Sequence, residues 1–441
     1  MKLFFAYISL CLLLCAPILP DRGQMLVGLW RIWSQPARIF TNYFALGGFS
    51  ATFLNMGLVG LCCVGLLFAL RAEADGTTVM GFLLTIGFAP WGIHVLNIWP
   101  TVLGVMVYAL VKREKPGKLV NAMLFSTGIA PLISELLVRY PGGDVGFSWV
   151  GLAVSLFIGF VIGFFLPAGL THSPKVHKGF DLYSAALPVG MTAFLLQALL
   201  YKTMGVSLPQ SLAESDPGSM LVSSGWIVNG FCVAIFAGCV VIALLMGTKL
   251  QDYWRFLTHK ERESDVAGNL GNGLFMINAG VYGLSILIYY NLVGAEFNGI
   301  TLGIIFCMLA TCNAGSHPGN IWPIVVGYGV AAGVMELVSR LAGGDFQCAL
   351  SSQTIVVGLC YASGLTPISD KYGWRYGMLA SGLHYVLVTS VPMMHGGFCL
   401  YNGGFTAALI CVLLIPVLER FCKTKLERRA ARAAKKELTK V

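Results

Sequence analysis

The sequence predicts an all-α polytopic membrane protein built from two inverted-topology repeats of about seven hydrophobic elements each, with broken or re-entrant helices. Three observations support this. Of the 441 residues, 56% are hydrophobic and only 11% are charged, more apolar surface than one soluble core can bury. The segment Gly92–Pro100 returns as Gly315–Pro323, with Gly, His, Asn, Ile, Trp and Pro all displaced by one constant offset along the chain. Basic residues favour opposite flanking loops in the two copies, as inversion requires.

Apolar segments long enough to cross or enter a bilayer follow one another along the chain. A spanning helix needs about 20 mainly apolar residues, and broken or re-entrant helices are shorter. Whether the two shortest segments, 77–91 and 299–314, cross fully is left open. The sequence predicts fourteen elements, at 3–20, 44–70, 77–91, 93–111, 119–138, 147–170, 180–203, 224–247, 271–292, 299–314, 319–338, 350–368, 374–393 and 398–419.

The first element allows two interpretations. Lys2 followed by a short apolar run is also typical of a cleavable signal peptide. We expect residues 1–20 to be retained, because this element has a repeat partner at 224–247. A Trp-Arg pair also follows each partner, Trp30-Arg31 and Trp254-Arg255. Removal would leave the first copy one element short.

The duplication extends over nearly the whole chain. Gly48–Leu61 parallels Gly271–Leu284 at the same offset, so Asn55 and Asn278 occupy one structural position. We predict a first transmembrane repeat at 1–210, a second at 211–419 and a basic cytoplasmic tail at 420–441. Two later matches have other offsets: Gly128, Pro131, Ser134 and Glu135 resemble Gly364, Pro367, Ser369 and Asp370, and His177–Tyr183 resembles His395–Tyr401.

The loop charges support inversion. If all seven elements of each copy cross, their odd number places the second copy upside down relative to the first. The loop 112–118 is strongly basic, whereas its partner 339–346 holds one Arg and one Asp. Basic loops mark the cytoplasmic side, which predicts a bacterial inner-membrane protein with both termini in the cytoplasm. The stretch 21–42 disagrees, since it should be outside yet contains three Arg, and we interpret it as interfacial and amphipathic.

The repeated Gly-to-Pro motifs predict interrupted helices at membrane depth. Pro removes a backbone hydrogen bond, Gly lets the chain turn, and irregular backbone persists there only when it is buried in protein or lines a watery cavity. Freed amide groups favour an anion and freed carbonyls a cation. Either the polar residues line a substrate path, or the Asn side chains only cap the backbone and the Trp side chains anchor the protein at the membrane interface. These residues are His94, Asn97, His317, Asn320, Trp99 and Trp322.

Asn55 and Asn278 form a second duplicated pair, and each is followed by Gly-x-x-Gly. A buried Asn needs hydrogen-bond partners, and the glycines permit close helix approach. Both residues therefore either face one cavity from opposite sides or fasten helices together.

Glu135 and Asp370 lie at matching helix ends. An intramembrane carboxylate is costly and predicts an ion or proton path, but Arg139 and Lys371 are close enough in sequence for simple ion pairing. A weaker set of candidates comprises Tyr183, Tyr401 and Asn402, with His177 and His395 expected in loops.

Signatures of catalysis and of cofactor binding are missing from the sequence. It contains no Walker loop, no His-Glu-x-x-His, no Gly-x-Ser-x-Gly and no dinucleotide fingerprint after a strand. The 13 Cys form no Cys-x-x-Cys pair and suit the role of small apolar side chains. We therefore expect no catalytic residues, no cofactor and no metal.

The net charge of +9 is concentrated at one end of the chain. Residues 420–441 carry nine Lys or Arg and two Glu, a net charge of +7. A tail continuing the last helix into the cytoplasm explains this better than nucleic-acid binding, which we do not expect. The expected partners are the lipid bilayer, anionic lipid at the tail, and a small-molecule or ion substrate. Homo-oligomerisation is left open.

The Gly-x-x-x-x-Asn-Ile-Trp-Pro segments, the Asn-x-Gly-x-x-Gly-Leu runs and the string His395–Thr406 resemble a bacterial integral-membrane family known only as a domain of unknown function. The resemblance covers nearly the whole chain and implies no substrate. By architecture alone, helix-breaking motifs in two inverted halves are similar to urea-channel-type proteins and broken-helix secondary transporters.

The predicted function is a multi-pass transporter of secondary-carrier type. It would move a small polar or anionic solute through a midplane site between the inverted repeats. One alternative is a passive small-solute channel of urea-channel-like build. Another is a membrane enzyme on a lipid-linked substrate, with His94, His317 and the carboxylates as acid–base groups. The sequence leaves the solute, the coupling ion and the direction open.

Overall fold

The computed structural model describes residues 1–206, 221–259 and 262–438, and this part of the chain is helical without strands. By length and composition, seven of its helices can cross a membrane, and a pair bent by 104° over 2–34 makes up to eight. The protein is therefore an all-α polytopic membrane protein, which confirms the predicted class. The seven are Phe49–Ala69, Pro116–Val138, Trp149–Val176, Ser224–Leu245, Asn272–Leu292, Pro318–Leu341 and Asn402–Ala434.

The helices of the first repeat alternate between long spans and short pieces. They are α1 (Lys2–Cys15), α2 (Met25–Ser34), α3 (Tyr43–Gly47), α4 (Phe49–Ala69), α5 (Gly76–Phe88), α6 (Trp99–Val111), α7 (Val120–Ser126), α8 (Ala130–Val138), α9 (Trp149–Val176) and α10 (Ala186–Gln197), with a π-helical turn at Ala198–Thr203.

The second repeat follows the same order. Its helices are α11 (Leu221–Leu245), α12 (Leu250–Thr258), α13 (Val266–Leu270), α14 (Asn272–Leu292), α15 (Gly299–Leu309), α16 (Pro318–Leu341), α17 (Gln353–Ala362), α18 (Thr366–Tyr372), α19 (Trp374–Val388), α20 (Val391–Met394) and α21 (Asn402–Phe421), and α22 (Lys425–Leu438) forms the tail. The predicted repeat boundary at 210 lies outside the described residues.

Equivalent helices begin at equivalent residues. The helices α4 and α14 start and end at positions related by the common repeat offset, and α5 and α15 also start at that offset. Asp75 caps α5 by accepting from the Thr78 amide, and Asn298 caps α15 by accepting from the Thr301 amide. A side-chain oxygen at this position satisfies an amide that has no partner within the helix. The duplication therefore extends to the helix caps.

The short helices α5 and α15 pack against each other at the centre of the molecule, and they run antiparallel. A methyl group added at Gly299, which begins α15, would lie 2.7 Å from the carbonyl oxygen of Pro90, just past the end of α5. One added at Gly76, which begins α5, would lie 2.5 Å from the amide nitrogen of the Asn313 side chain, just past the end of α15. Gly76 is the repeat partner of Gly299, and Pro90 that of Asn313, so the contact is reciprocal.

Neither short helix reaches across a bilayer. Thirteen residues of α5 rise about 20 Å, against a hydrocarbon core of about 30 Å. Both helices are almost wholly surrounded by protein, which allows irregular backbone to follow them at membrane depth. Antiparallel packing of equivalent helices is the arrangement that a pseudo-two-fold axis in the membrane plane produces.

Inversion of the repeats predicts where two loops lie. A reporter that is active only in the cytoplasm, fused at Gly117 in the basic loop after α6, is expected to be active. The same reporter fused at Gly343, after α16, is expected to be silent, while an extracytoplasmic reporter gives the reverse pattern. Activity of one reporter at both sites would contradict inversion.

The second helix break differs from its predicted position. The sequence predicts an interruption over Gly315–Pro323, but α16 begins at Pro318 and contains both Trp322 and Pro323. Pro at the first helical position has a suitable φ and no amide to satisfy, so Pro318 starts the helix early. Its repeat partner is Val95, and the first break accordingly extends to Ile98.

The two repeats interlock, because a segment of each one hydrogen-bonds to the other. The Leu182 amide of the first repeat donates to the Gly364 carbonyl of the second at 3.0 Å. In return, the Leu400 amide of the second repeat donates to the Gly128 carbonyl of the first, also at 3.0 Å. Each glycine lies against the tyrosine that follows the leucine of the opposite repeat, so both repeats contribute to one core.

Substitution of Gly128 tests this interlock. A methyl group there would lie 1.9 Å from a ring carbon of Tyr401. We expect Gly128→Ala to lower the free energy of unfolding by about 2 kcal/mol, because the buried ring must shift to relieve the overlap. Gly329→Ala, in open space on α16, is the control and should stabilise by up to about 1 kcal/mol. Equal effects in denaturant titrations of the purified protein would contradict the interlock.

Candidate functional site

Asn55 and Asn278 hold the helix breaks in place. The Asn55 amide donates to the carbonyls of Ala89 and Ile93, each at 2.8 Å, at the two sides of the first break. The Asn278 amide makes the equivalent bonds in the second repeat, at 2.9 Å. Each Asn carbonyl accepts from an aromatic side chain on the preceding amphipathic helix, Trp33 on α2 or Tyr253 on α12. Both Asn are fully buried and fully hydrogen-bonded.

The two Gly-to-Pro motifs satisfy their own backbone groups. In the first, the Asn97 carbonyl accepts from the His94 amide at 3.0 Å, while the Asn97 amide donates to the Gly92 carbonyl at 3.0 Å. The second motif repeats both bonds, at 3.0 Å and 2.8 Å. In each, Nδ1 of the histidine accepts from the backbone amide two residues later. The backbone amides that we expected to favour an anion therefore have hydrogen-bond partners within the motif itself.

The motifs differ in what surrounds them. Nε2 of His94 lies 3.0 Å from the Ser134 hydroxyl, which also accepts from the Asn97 amide at 2.9 Å. The ring of His317 instead packs against Phe256 on α12, with ring centroids 5.0 Å apart. Trp99 and Trp322 lie at the starts of α6 and α16 and are partly exposed on the outer surface of the protein. These contacts give the motif residues structural roles, and a substrate path along them stays a prediction.

A buried ion pair lies at the end of α8. The Arg38 guanidinium donates to Glu135 at 2.8 Å, and Arg139 approaches the same carboxylate oxygen at 3.8 Å. Only 1% of the Glu135 side chain and 9% of the Arg38 side chain are exposed. Arg38, within the stretch interpreted as interfacial, is therefore buried in the protein, and pairing with Glu135 compensates its burial.

The same pair recurs at the end of α18. Arg262 donates to Asp370 at 2.6 Å and to the Ala314 carbonyl at 2.8 Å. Lys371, the sequence-based candidate for pairing with Asp370, instead places its ammonium 4.9 Å from the centre of the Phe180 ring. This second pair is more open, with 27% of the Asp370 side chain exposed.

Sequence reasoning identified both carboxylates and the proximity of Arg139 to Glu135, but it missed Arg38 and Arg262 as their hydrogen-bonded partners. The separation between Arg38 and Arg262 exceeds the common repeat offset by a single position, so a strict alignment pairs neither with the other. Allowing a one-residue gap after the amphipathic helices α2 and α12 would have matched them.

The remaining candidates lie at the interlock. Tyr183 is buried and donates to the Cys307 carbonyl at 3.0 Å, whereas the hydroxyl of Tyr401 and the side-chain oxygen of Asn402 have no partner in the described structure. His177 bonds the Ser184 hydroxyl at 2.8 Å, and His395 is completely buried. The two His-Gly-Phe loops therefore lie in different environments.

An open cavity of about 570 Å³ lies between the repeats. It reaches the N-terminal end of α5, and its polar lining comes from both halves of the chain. Two other cavities, of about 790 Å³ and 480 Å³, are lined by residues of the second repeat alone. Polar residues around the shared cavity include Asp75, Thr77, Lys118, Asn121, Ser264 and Asp265.

The described residues contain no group of three or more His, Cys, Asp or Glu placed to hold a metal ion. Asp75 and Asp265, the carboxylates at the shared cavity, each cap a short helix. The lining of the shared cavity offers polar contacts to a solute.

Two interlocked repeats of buried, broken helices define a multi-pass membrane protein of duplicated architecture. The chain belongs to the family described as "Protein of unknown function (DUF1576)", whose model matches residues 22–202 and 246–420. The matched ranges follow the two repeats and confirm the resemblance to an uncharacterised membrane family. No curated protein and no solved structure matches the chain.

Proposed function

We propose that this protein is a secondary transporter that moves a small polar solute by alternating access between its two repeats. One observation carries the proposal: equivalent positions of the repeats are open on one side of the molecule and closed on the other. The open side carries the basic loop 112–118, predicted to be cytoplasmic.

The asymmetry is clearest at the starts of α5 and α15. Asp75 and Thr77 are exposed to the shared cavity. Their repeat partners are Asn298 and Ile300, of which only 7% and 2% are exposed. Asn298 donates to the Gln353 side chain at 2.7 Å, which helps to cover that end.

A pseudo-symmetric molecule in an asymmetric state implies a second state with the asymmetry reversed. The two states exchange the conformations of equivalent elements, so their energies are close, and each opens to the opposite side.

The residues at the mouth set a preference for solutes. Asp75 and Asp265 line the open side together with Lys118, whereas the repeat partners of the two carboxylates, Asn298 and Asn42, are neutral. A polar solute that accepts and donates hydrogen bonds suits this lining better than a multivalent anion, because the carboxylates would repel such an anion.

Two reporter cysteines test alternation without a known solute. Thr77→Cys supplies the inner reporter and Ile300→Cys the outer reporter, at equivalent positions of the two repeats. Both are placed in a background with serine at the five partly exposed cysteines, Cys11, Cys15, Cys62, Cys348 and Cys422. In nanodiscs, a charged maleimide should label the inner reporter quickly and the outer reporter about tenfold more slowly, through the minor state. The background without reporters corrects for other cysteines.

The variant that carries both Thr77→Cys and Ile300→Cys distinguishes a carrier from a channel. Prior attachment of a bulky maleimide to the inner reporter should hold the inner side open and abolish labelling of the outer reporter, because the two openings exclude each other in a carrier. Independent labelling of both sites would favour the channel, and an outer reporter that never reacts would contradict alternating access.

A thermal-shift screen addresses the solute. The panel comprises amino acids, dicarboxylates, sugars, nucleosides, chloride and phosphate, added to the detergent-purified protein. A ligand of the shared cavity should stabilise the parent and Ser351→Trp, which fills a second-repeat cavity, but not Thr77→Trp. A ligand that stabilises all three proteins equally would place its site elsewhere.

A further inference from the structure

The closed side of the molecule is held by a contact between the repeats. The Arg38 guanidinium, already paired with Glu135, lies 4.9 Å from the centre of the Phe398 ring of the second repeat. The next residue, Ile39, donates its amide to the Gly397 carbonyl at 2.8 Å. The Phe398 ring also stacks on Tyr201, with ring centroids 5.7 Å apart. A charged group, an aromatic ring and a backbone bond thus close this side together.

On the open side, the equivalent phenylalanine, Phe180, also contacts the other repeat, but it meets Lys371 and Tyr372 there and not the paired arginine. Gly179 has a φ of +76° and its partner Gly397 has +77°, so the two His-Gly-Phe loops share one backbone shape. Gly397 is buried, whereas Gly179 is exposed. In the described part of the chain, no cation–π contact joins Arg262 to Phe180; the ring of Phe180 is approached by Lys371 instead.

We propose that each arginine–carboxylate pair is the fixed half of a latch that closes on the phenylalanine of the opposite repeat. Arg38 on Phe398 forms the outer latch, which is closed here, and Arg262 on Phe180 forms the inner latch, which is open here. This inference rests on the proposed alternating access and identifies the residues that stabilise each of its two states.

The chemistry suits a reversible latch. Each ion pair lies within one repeat, so the buried charge stays neutralised in both states and no unpaired charge must be desolvated during the change. Only the contact with the ring and the neighbouring backbone bond are made or lost. A cation over an aromatic face is weak enough to open on the timescale of a transport cycle and strong enough to bias two states of similar energy.

Substitution of the two equivalent phenylalanines should shift the labelling rates in opposite directions, and this tests the proposal. Phe398→Leu removes the ring of the closed outer latch and should favour closure of the inner side, raising the labelling rate of the outer reporter about fivefold and lowering that of the inner reporter. Phe180→Leu removes the ring that the inner latch needs. Compared in a Lys371→Leu background, which already lacks the present cation–π contact with this ring, it should lower the labelling rate of the outer reporter about fivefold without slowing the inner reporter.

The control is Phe157→Leu, an exposed phenylalanine on α9, which should leave both rates unchanged. Unfolding midpoints of all variants show whether a rate reflects loss of fold. A purely structural role for both rings would give labelling changes of the same sign and would overturn the latch.

Different outcomes would contradict the latch and the proposed function. If both reporters react and exclude each other, but the two leucine variants shift their rates in the same direction or not at all, alternating access stands and the latch is wrong. If the outer reporter reacts in no variant, alternating access and the latch are both overturned.

Discussion

Glu135→Leu is expected to lower the free energy of unfolding by about 3–5 kcal/mol, the largest effect of any single substitution we consider. The carboxylate is the acceptor for Arg38 at 2.8 Å and lies 3.8 Å from Arg139. Removing it leaves the buried Arg38 guanidinium without its carboxylate and close to the partly exposed Arg139. The measurement is equilibrium unfolding of the purified protein in mixed micelles.

A matched control separates burial from pairing. Glu336 pairs with Arg340 on the surface at 2.5 Å, and Glu336→Leu should change stability by only about 0–1 kcal/mol, since exposed pairs contribute little. Arg38→Leu combined with Glu135→Leu should recover part of the loss, because one unpaired charge is removed with its partner. If Glu135→Leu and Glu336→Leu lowered the free energy of unfolding by similar amounts, the Glu135 pair would contribute no more than an exposed pair.

Asn55→Ala is expected to lower the free energy of unfolding by about 3 kcal/mol, and Asn278→Ala by a similar amount. Each substitution leaves two buried carbonyls of a helix break without a donor and opens a small cavity. Both effects are measured by the same unfolding titration. Effects of equal size would show that the duplicated Asn has one role in both repeats.

The control for this pair is Asn291→Ala. Asn291 lies exposed on α14 and donates to Asn229 and to the Leu287 carbonyl, so its loss should cost less than about 1 kcal/mol. Effects of Asn55→Ala and Asn278→Ala as small as that of Asn291→Ala would contradict the fastening role. A large effect at only one of them would show that the repeats have diverged.

The repeat offset predicted much of this architecture. It paired Asn55 with Asn278 and the two Gly-to-Pro motifs with each other, and the structure gives each pair the same hydrogen bonds. This succeeded because the hydrogen bonds of a helix break are local: a carbonyl freed by Gly or Pro must find a donor within a few residues or on the adjacent helix.

Contacts between distant segments were less predictable. Arg38 gave no sign in the sequence that it would be buried, since its partner lies 97 residues away and its ring contact is in the other repeat. The sequence offers Lys371 as a partner for Asp370 because the two are adjacent. Adjacent residues on a helix point in different directions, however, and the carboxylate meets Arg262 instead.

The sequence by itself determined that this protein is a duplicated, multi-pass, all-helical membrane protein with broken helices, because composition, periodic helix breakers and a constant repeat offset are local properties. Only the tertiary structure decided which charges are paired, how the repeats interlock, and which side is open. Equivalent segments of the two repeats lie in different environments, because the packing against the opposite repeat differs even where their local hydrogen bonds are the same.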